Sequence, residues 1–484
     1  LDGAHQMDAK KQCAYILQYL KDKQRTKLAR VVPVEFANKS YSFDPQADFS
    51  SWKSAMEPYM SPIDDGGWNP RIHIVDAMVG VQKRIIGLQK QVAMVFPAPR
   101  YQTYAVEFGK RFTSGVILDP YTREQVLLRQ STAAQTSRMI RADQCDPTGH
   151  RESFQKRQCE KGLAPSRVIT GMDQGTKRNF QCFIYAAADY ISFVPFYGFG
   201  APRYIADRIT ESAAGSTACI GNDYEKWDGR VSHWLRDWVE LPILMRLFPN
   251  HREECRELYR KTYGGKVTMV VKEDREKYEP GNSRNSGSPD TSFGNTVDNG
   301  YLWYCAARDY GMTEEQAWAF VMQRCLCGGD DGLAFTPHTI DPEKLLQCLS
   351  AVATSFGHCS EAVIARIGEP VQFLSRWWLP WYGEGDSMCD LPRQLMKLHM
   401  TSSHNVEPMT KMIEKAVAFA MTDANTPIMG DWARTVVMAT GTKLAARQGG
   451  ENWWGRFEPL DQFPNVRQPW MDDICTKVYP DFDH

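Results

Sequence analysis

Val231, Trp234, Leu235, Trp238 and Leu241 recur at the spacing of a helix with one buried face, which Pro242 is expected to bend or end. Just upstream, residues 217–220 form a short apolar run that breaks at Gly221-Asn222-Asp223, as a buried strand would. Gly264-Gly265 followed by residues 266–271 reads as a hairpin. A loop over 280–288 then leads into a helical pattern carrying Phe293, Val297, Tyr301, Leu302 and Tyr304. Apolar residues flank Gly328-Gly329-Asp330-Asp331 on both sides, predicting strand, turn, strand. A helix over 342–356 and a strand over 371–374 follow, and a Trp/Pro-rich part begins near Trp377. Toward the N-terminus, 9–28 and 74–92 have helical periodicity, with Pro/Gly/Asp breaks around 61–70. The order around the acidic tip predicts an α+β sheet domain with long insertions.

Length and composition narrow this picture. At 484 residues the chain exceeds a single core and suggests two or three lobes, and without internal repeats or low-complexity linkers these should interleave. Aromatic residues reach 12%, including 14 Trp, which implies thick packing or stacking surfaces. A formal net charge of −1 does not predict a nucleic-acid binder, so any basic surface must be local. The 13 cysteines are scattered without framework spacing and read as reduced intracellular thiols. Cys145, His150 and Cys159 lie near enough to consider zinc, but no second pair follows at finger spacing. The most apolar segment, 180–200, is interrupted by Asp189 and Pro195 and reads as buried aromatic core rather than a membrane span. The chain opens at Leu1 without a methionine and is expected to be a piece of a longer protein, with any membrane anchor elsewhere.

The chemistry concentrates in three places. Asp330 and Asp331 bring two negative charges together at a turn, an arrangement that repels unless a cation sits there, and hard oxygen ligands suit Mg²⁺. Asp223 stands where a strand ends, with Asp228 five positions on, and a strand-end carboxylate beside an acidic hairpin is the arrangement that holds two metal ions. The third element, Ser286-Gly287-x₃-Thr291-x₃-Asn295, has a chance probability of roughly a few in a thousand in a chain this long. Thr291 and Asn295 share a helix face, and Ser286-Gly287 leaves a close-approach loop at the helix entrance. A Ser/Asp/Thr cap would explain where that helix begins but not the polar face one turn in.

In the order Asp-x₄-Asp, Ser-Gly-x₃-Thr-x₃-Asn, Gly-Asp-Asp, these elements resemble motifs A, B and C of viral RNA-dependent RNA polymerases. Pro165 to Ile169, with Lys156, Arg157 and Lys161 upstream, resembles the basic finger motif F, and Phe373-Leu374-Ser375-Arg376 resembles the primer-grip motif E. The wording around Asp223 and Asp330 is most similar to the nodavirus type, with tombusvirus-like and flavivirus-like relatives as neighbours. The resemblance implies a right-hand fold: fingers, an RRM-like palm of antiparallel sheet backed by helices, and a mostly helical thumb. It divides the chain into 1–180 (fingers, with motif F near 156–169), 181–244 (first palm part), 245–285 (fingers insertion), 286–380 (second palm part) and 381–484 (thumb and C-terminal segment).

The resemblance also implies roles. Asp223, Asp330 and Asp331 would be the catalytic metal-binding carboxylates, Asp331 the least of them, with Mg²⁺ as cofactor and Mn²⁺ as a substitute. Asp228 facing Asn295 would read the ribose 2′-hydroxyl, while Ser286, Gly287 and Thr291 would complete that network. Arg167, Lys156, Arg157 and Lys161 would grip the triphosphate, and Ser375 with Arg376 the primer. This gives function to the basic stretch 138–178, which by itself reads equally as a solvated face. Implied partners are template and product RNA, ribonucleoside triphosphates and other replication-complex regions, in host cytoplasm at the cytosolic face of intracellular membranes. One departure stands out. A motif D lysine is missing between the acidic hairpin and motif E, where Lys344 comes too early and His358 and Arg366 are the substitutes. A reverse transcriptase is the nearest rival, disfavoured by the Asp228/Asn295 pair and by Gly328-Gly329, and a polymerase-like RNA-binding scaffold is the rival from another class. The aromatic C-terminal residues Trp453, Trp454, Trp470 and Tyr479 fit thumb packing better than nucleotide stacking.

Overall fold

A strand covered on both faces needs apolar residues at nearly every position, which is why the runs before Asp223 and around Asp330-Asp331 are almost continuous. The computed structural model describes residues 35–36, 70–158, 164–381, 386–398, 400–401, 406–441 and 466–479. Its strands, in chain order, include β1 (Arg151–Gln155), β2 (Val168–Met172), β3 (Ser216–Tyr224), β4 (Val267–Val271), β5 (Asp274–Tyr278), β6 (Cys325–Gly328), β7 (Asp331–Pro337), β8 (Ser360–Arg366), β9 (Val371–Phe373), β10 (Arg376–Leu379) and β11 (Asp386–Cys389). The helices that position them are α1 (Arg100–Phe112), α2 (Gln174–Ser192), α3 (Pro202–Ala213), α4 (Thr291–Tyr310), α5 (Pro342–Ser355), α6 (Pro408–Thr422), α7 (Met429–Thr440) and α8 (Pro469–Val478).

The central sheet has the order β6-β7-β3-β8 and is antiparallel throughout. Successive side chains point to opposite faces. Ile220, Cys325, Cys327 and Ala334 join the core formed with α1, α2, α4 and α5, and Cys219, Leu326, Leu333 and Phe335 pack under α3 and the β9–β10 hairpin. Burying both faces pins the register, because a one-residue slip would exchange the two sets. A second sheet, β2-β1-β4-β5, packs on a helix over Ile74–Val81. A β9-β10-β11 meander joins the central sheet to a helical cluster of α6, α7 and α8. Trp470 is buried in that cluster, as expected for packing, while Trp453 and Trp454 lie outside the described residues. Among the described residues no helix is long and apolar enough to cross a membrane.

Two elements differ from expectation. The hairpin after Gly264-Gly265 turns not at those glycines but beyond Val271, where Lys272 takes a φ of 56°, and pairs β4 with β5. β5 reads Asp-Arg-Glu-Lys-Tyr with its first four residues exposed, so it carries no apolar alternation to announce a strand. The helix after Val231 also does not end at Pro242, but continues as Leu241–Leu247. A π turn over Arg236–Glu240 precedes it, and the wider turn relieves the clash between the proline ring and the preceding carbonyls.

Candidate active site

The acidic end of the central sheet follows from its register. Asn222 pairs with Gly332 on one side and Ala362 on the other, so Asp223, the penultimate residue of β3, lies one step beyond, level with the tip of the β6–β7 hairpin. Gly328 pairs with Asp331 to close that hairpin, and Gly329 turns it with a φ of 70°, which favours glycine. Asp223 is exposed, and Asp330 and Asp331 are half-buried. Burial first, then the charges of Asp228 and Asp223, pushes the Asp330 carboxyl up to about 6, against the opposing pull of Arg167. Burial, Asp330 and Asp223 push Asp331 up to about 7, while the backbone N–H of Leu374 and the charge of Arg393 favour its ionised form.

Carboxylates packed so that their neighbours favour protonation form a donor set for a divalent cation, whose charge would reverse that preference. Among the described residues no group of three or more His, Cys, Asp or Glu side chains stands ready to hold a metal by itself. Mg²⁺ is commonly bound through one or two carboxylates together with substrate phosphates. Asp223 and Asp330, with Asp331 beside them, are the residues that fit. The zinc alternative gains no support, since Cys145 is an exposed free thiol, His150 Nε2 lies 3.4 Å from Glu152, and Cys159 is outside the described residues.

The second part of the site is a hydrogen-bonded cluster around Asp228, in the short turn Trp227–Arg230. Asn295 Nδ2 donates to Asp228 Oδ1 at 2.9 Å, and the Ser286 hydroxyl donates to Asp228 Oδ2. The 280–288 loop is tied to the same turn through Arg284 N–H to Asp228 O at 2.8 Å. Gly287 allows this loop to touch β2: its N–H donates to Thr170 O at 3.0 Å, and a Cβ there would come within 2.6 Å of that oxygen. Thr291 does not join the cluster. Its hydroxyl lies 3.0 Å from both Asn285 O and Ser288 O, so here it closes its own loop.

Sequence reasoning missed Arg284. Its side chain is fully buried, with Nε 2.9 Å from Asn295 Oδ1, Nη1 2.7 Å from Glu240 and 2.9 Å from Asp290, and Nη2 3.2 Å from Asp298. Because Arg284 occupies the Asn295 carbonyl oxygen, the amide nitrogen must face Asp228. A Cβ on Gly294 would fall within 2.5 Å of the guanidinium, so glycine leaves it the room it needs. The available signal was Asp298, a carboxylate amid the aromatic residues of α4, where a buried charge requires a partner.

Of the basic residues, Arg167 is the one whose charge acts on Asp330. Lys156 and Arg157 follow β1, with Lys156 N–H donating to Arg167 O at 2.8 Å, so they extend the β1–β2 hairpin, and Lys161 lies outside the described residues. At the β9–β10 turn, Leu374 and Ser375 both have positive φ, 50° and 61°, and Leu374 packs against Gly328. The Arg376 guanidinium makes two 3.0 Å bonds to Asp423 and one of 2.9 Å to Ser387, which fasten the hairpin to the end of α6.

Neither motif D substitute is placed as a proton donor. Arg366 pairs with Glu343 and lies opposite Ala218, whereas Asp223 lies opposite Glu361. Five residues of strand separate them, roughly 16 Å. His358 is buried, stacked on Trp227 at 4.2 Å between ring centres, and burial with the Arg230 charge holds its pKa down to about 3. Its proton affinity is lower folded than unfolded, so it withdraws stability as pH falls from about 6.5 toward that value. We expect His358→Phe to leave the pH profile of catalysis unchanged between about 6 and 8 while reducing acid sensitivity in thermal melts. Loss of one limb of the rate profile would restore His358 as a proton donor.

The site is thus an antiparallel sheet that ends in an acidic turn beside a strand-end carboxylate, with a helix-borne amide on a further carboxylate. Residues 199–382 match the family of viral RNA-dependent RNA polymerases. The chain is 30% identical over 363 residues to the RNA-directed RNA polymerase of Pariacoto virus, covering 73% of this chain and 36% of that protein. It is 31% identical over 287 residues to that of Greasy grouper nervous necrosis virus, covering 58% and 28%, and 26% identical over 348 residues to that of Flock house virus, covering 68% and 33%. The crystal structure of a human picobirnavirus RNA-dependent RNA polymerase shares the fold, with a TM-score of 0.58 at 14% identity over 74% of each chain. The chain is thus similar to the viral RNA-dependent RNA polymerases, of nodavirus type, and spans about a third of the length of the curated relatives it matches.

Proposed function

We propose that this chain carries the nucleotidyl-transfer centre of an RNA-templated RNA polymerase. The observation that supports it most is the convergence of Asp223 and Asp330-Asp331 at one sheet end, with Asp228 hydrogen-bonded to both Asn295 and Ser286. The substrates are an RNA template, an RNA 3′-hydroxyl and ribonucleoside triphosphates, and the palm is the central sheet with α4 and α5. Asp223 and Asp330 would hold divalent ions, Mg²⁺ or Mn²⁺, which when bound supply activation of the 3′-hydroxyl and neutralisation of the triphosphate charge. The protein contributes position and field. Arg167, whose charge acts on Asp330, would bind triphosphate oxygens, and the Asp228–Asn295 pair would offer fixed polar groups to a ribose hydroxyl. The hairpin at Leu374-Ser375, which lies against Gly328, would meet the primer end.

The test is single-nucleotide extension of an RNA primer on an RNA template. Extension should require Mg²⁺ or Mn²⁺, stop on chelation, and prefer ribonucleotides over deoxyribonucleotides by at least about tenfold in kcat/KM. Deoxyribonucleotide preference would favour the reverse transcriptase reading, and RNA binding without extension in either metal would favour the scaffold.

A further inference from the structure

α4 does more than present Asn295. One turn on, Asn299 is completely buried, and its Nδ2 lies 3.1, 3.1 and 3.0 Å from the carbonyl oxygens of Gly329, Asp330 and Asp331. Thr296, also completely buried, accepts the Gly329 N–H at 3.0 Å. Every carbonyl from Gly329 through Asp331 is thereby drawn onto one face of one helix, and the amide that starts the turn is held there as well. We propose that Asn299, with Thr296, is a positioning residue that shapes the acidic turn for metal binding. This rests on the polymerase reading of the same site.

The physical reason lies in the charges. Asp330 and Asp331 sit beside each other and near Asp223, so without a cation their repulsion tends to open the turn. A hairpin tip has few hydrogen bonds of its own to resist this. A neutral amide donor bonded to consecutive carbonyls supplies the resistance without adding a charge that would compete with the metal, as a lysine or arginine would. The same groups orient the peptide dipoles, since carbonyl oxygens turned toward α4 keep their negative ends away from the carboxylates. Asn295 and Asn299 are four residues apart, about 6 Å along the helix axis. One rigid helix therefore sets the separation between the ribose-reading carboxylate Asp228 and the metal-binding turn.

The experiment compares wild type with Asn299→Ala, Thr296→Val and Thr296→Ser. Mn²⁺ binding is followed by loss of the free-ion paramagnetic resonance signal, and primer extension is titrated with Mg²⁺. Thermal melts and RNA binding serve as controls. Asn299→Ala and Thr296→Val should each weaken Mn²⁺ binding and raise the Mg²⁺ requirement by about 10- to 100-fold, with less change in nucleotide KM. Thr296→Ser, which retains the acceptor, should restore both. A folded Asn299→Ala with unchanged metal binding overturns the proposal, as does equal behaviour of Thr296→Val and Thr296→Ser. If Asn299→Ala does not fold, the threonine pair decides. Wild type that binds Mn²⁺ but extends nothing, with binding lost in the variants, would remove the polymerase reading and leave this one standing.

Discussion

Asp330→Asn should lower RNA-templated incorporation by at least about a thousandfold, Asp223→Asn by a similar factor, and Asp331→Asn by only about tenfold. The ordering comes from what each carboxylate faces. Asp330 feels both Asp228 and Asp223, so it lies among the acids at the sheet end. Asp331 feels Asp330 and Asp223, but the Leu374 N–H of the β9–β10 turn and the charge of Arg393, in the short helix Leu391–Leu395, favour its ionised form. Neutralising a direct metal ligand removes an interaction of about 4 kcal/mol at an effective dielectric constant near 20, which corresponds to about three powers of ten in rate. Neutralising Asp331 mainly loosens the hairpin contact. Stability should move the other way. With folded pKa values pushed to about 6 and 7, these carboxyls bind protons more tightly folded than unfolded. In metal-free protein they therefore withdraw stability as pH rises from about 4 through those values. The Asp330→Asn and Asp331→Asn variants should each melt higher than wild type at pH 8 in chelator while being slower in Mg²⁺. Single-turnover extension and paired melts measure both. An Asp331→Asn defect as deep as that of Asp330→Asn would reverse the assignment.

The parts of this site that were legible in the sequence are those whose chemistry is local. Asp330-Asp331 must lie at one turn wherever the chain places it, and Ser286 and Asn295 are held at a fixed offset by a loop and one helical turn. Asp223 at a strand end could be read from the break at Gly221-Asn222. What was hidden depends on contacts far apart in sequence. Arg284 looks like a solvated loop residue until Glu240 and Asp298, 44 and 14 positions away, close around it. Asn299 looks like one more polar residue on a helix until the turn 30 to 32 positions later is laid across it. His358 could be singled out as a titratable side chain, but its neutrality follows from Trp227 and Arg230, which only the fold brings over it. β5 was missed for the opposite reason: an edge strand with exposed charges carries no apolar alternation to read.

Asn295→Ala should lower the preference for ribonucleotides over deoxyribonucleotides by about 10- to 100-fold, almost wholly through slower ribonucleotide incorporation. Asp228 has one oxygen on Asn295 Nδ2 and the other on the Ser286 hydroxyl, so it is held in a single orientation. That orientation is itself set from behind, because Arg284 Nε binds Asn295 Oδ1 and the guanidinium is fixed by Glu240, Asp290 and Asp298. Removing the amide frees one side of Asp228 and leaves a buried guanidinium donor unpaired. A hydrogen bond to a charged group is worth about 1.5–3 kcal/mol, which sets the size of the change. A deoxyribonucleotide has no 2′-hydroxyl to lose contact with, so its kcat/KM should stay within about threefold. Asn295→Asp separates this from simple loosening. It keeps the shape and the Arg284 contact but sets a carboxylate against Asp228, and should lose more ribonucleotide activity than the alanine variant. Competition between ribo- and deoxyribonucleotides on one RNA template, with RNA binding measured alongside, reads the effect directly. Unchanged discrimination with weakened RNA binding would move Asn295 from the ribose to the template.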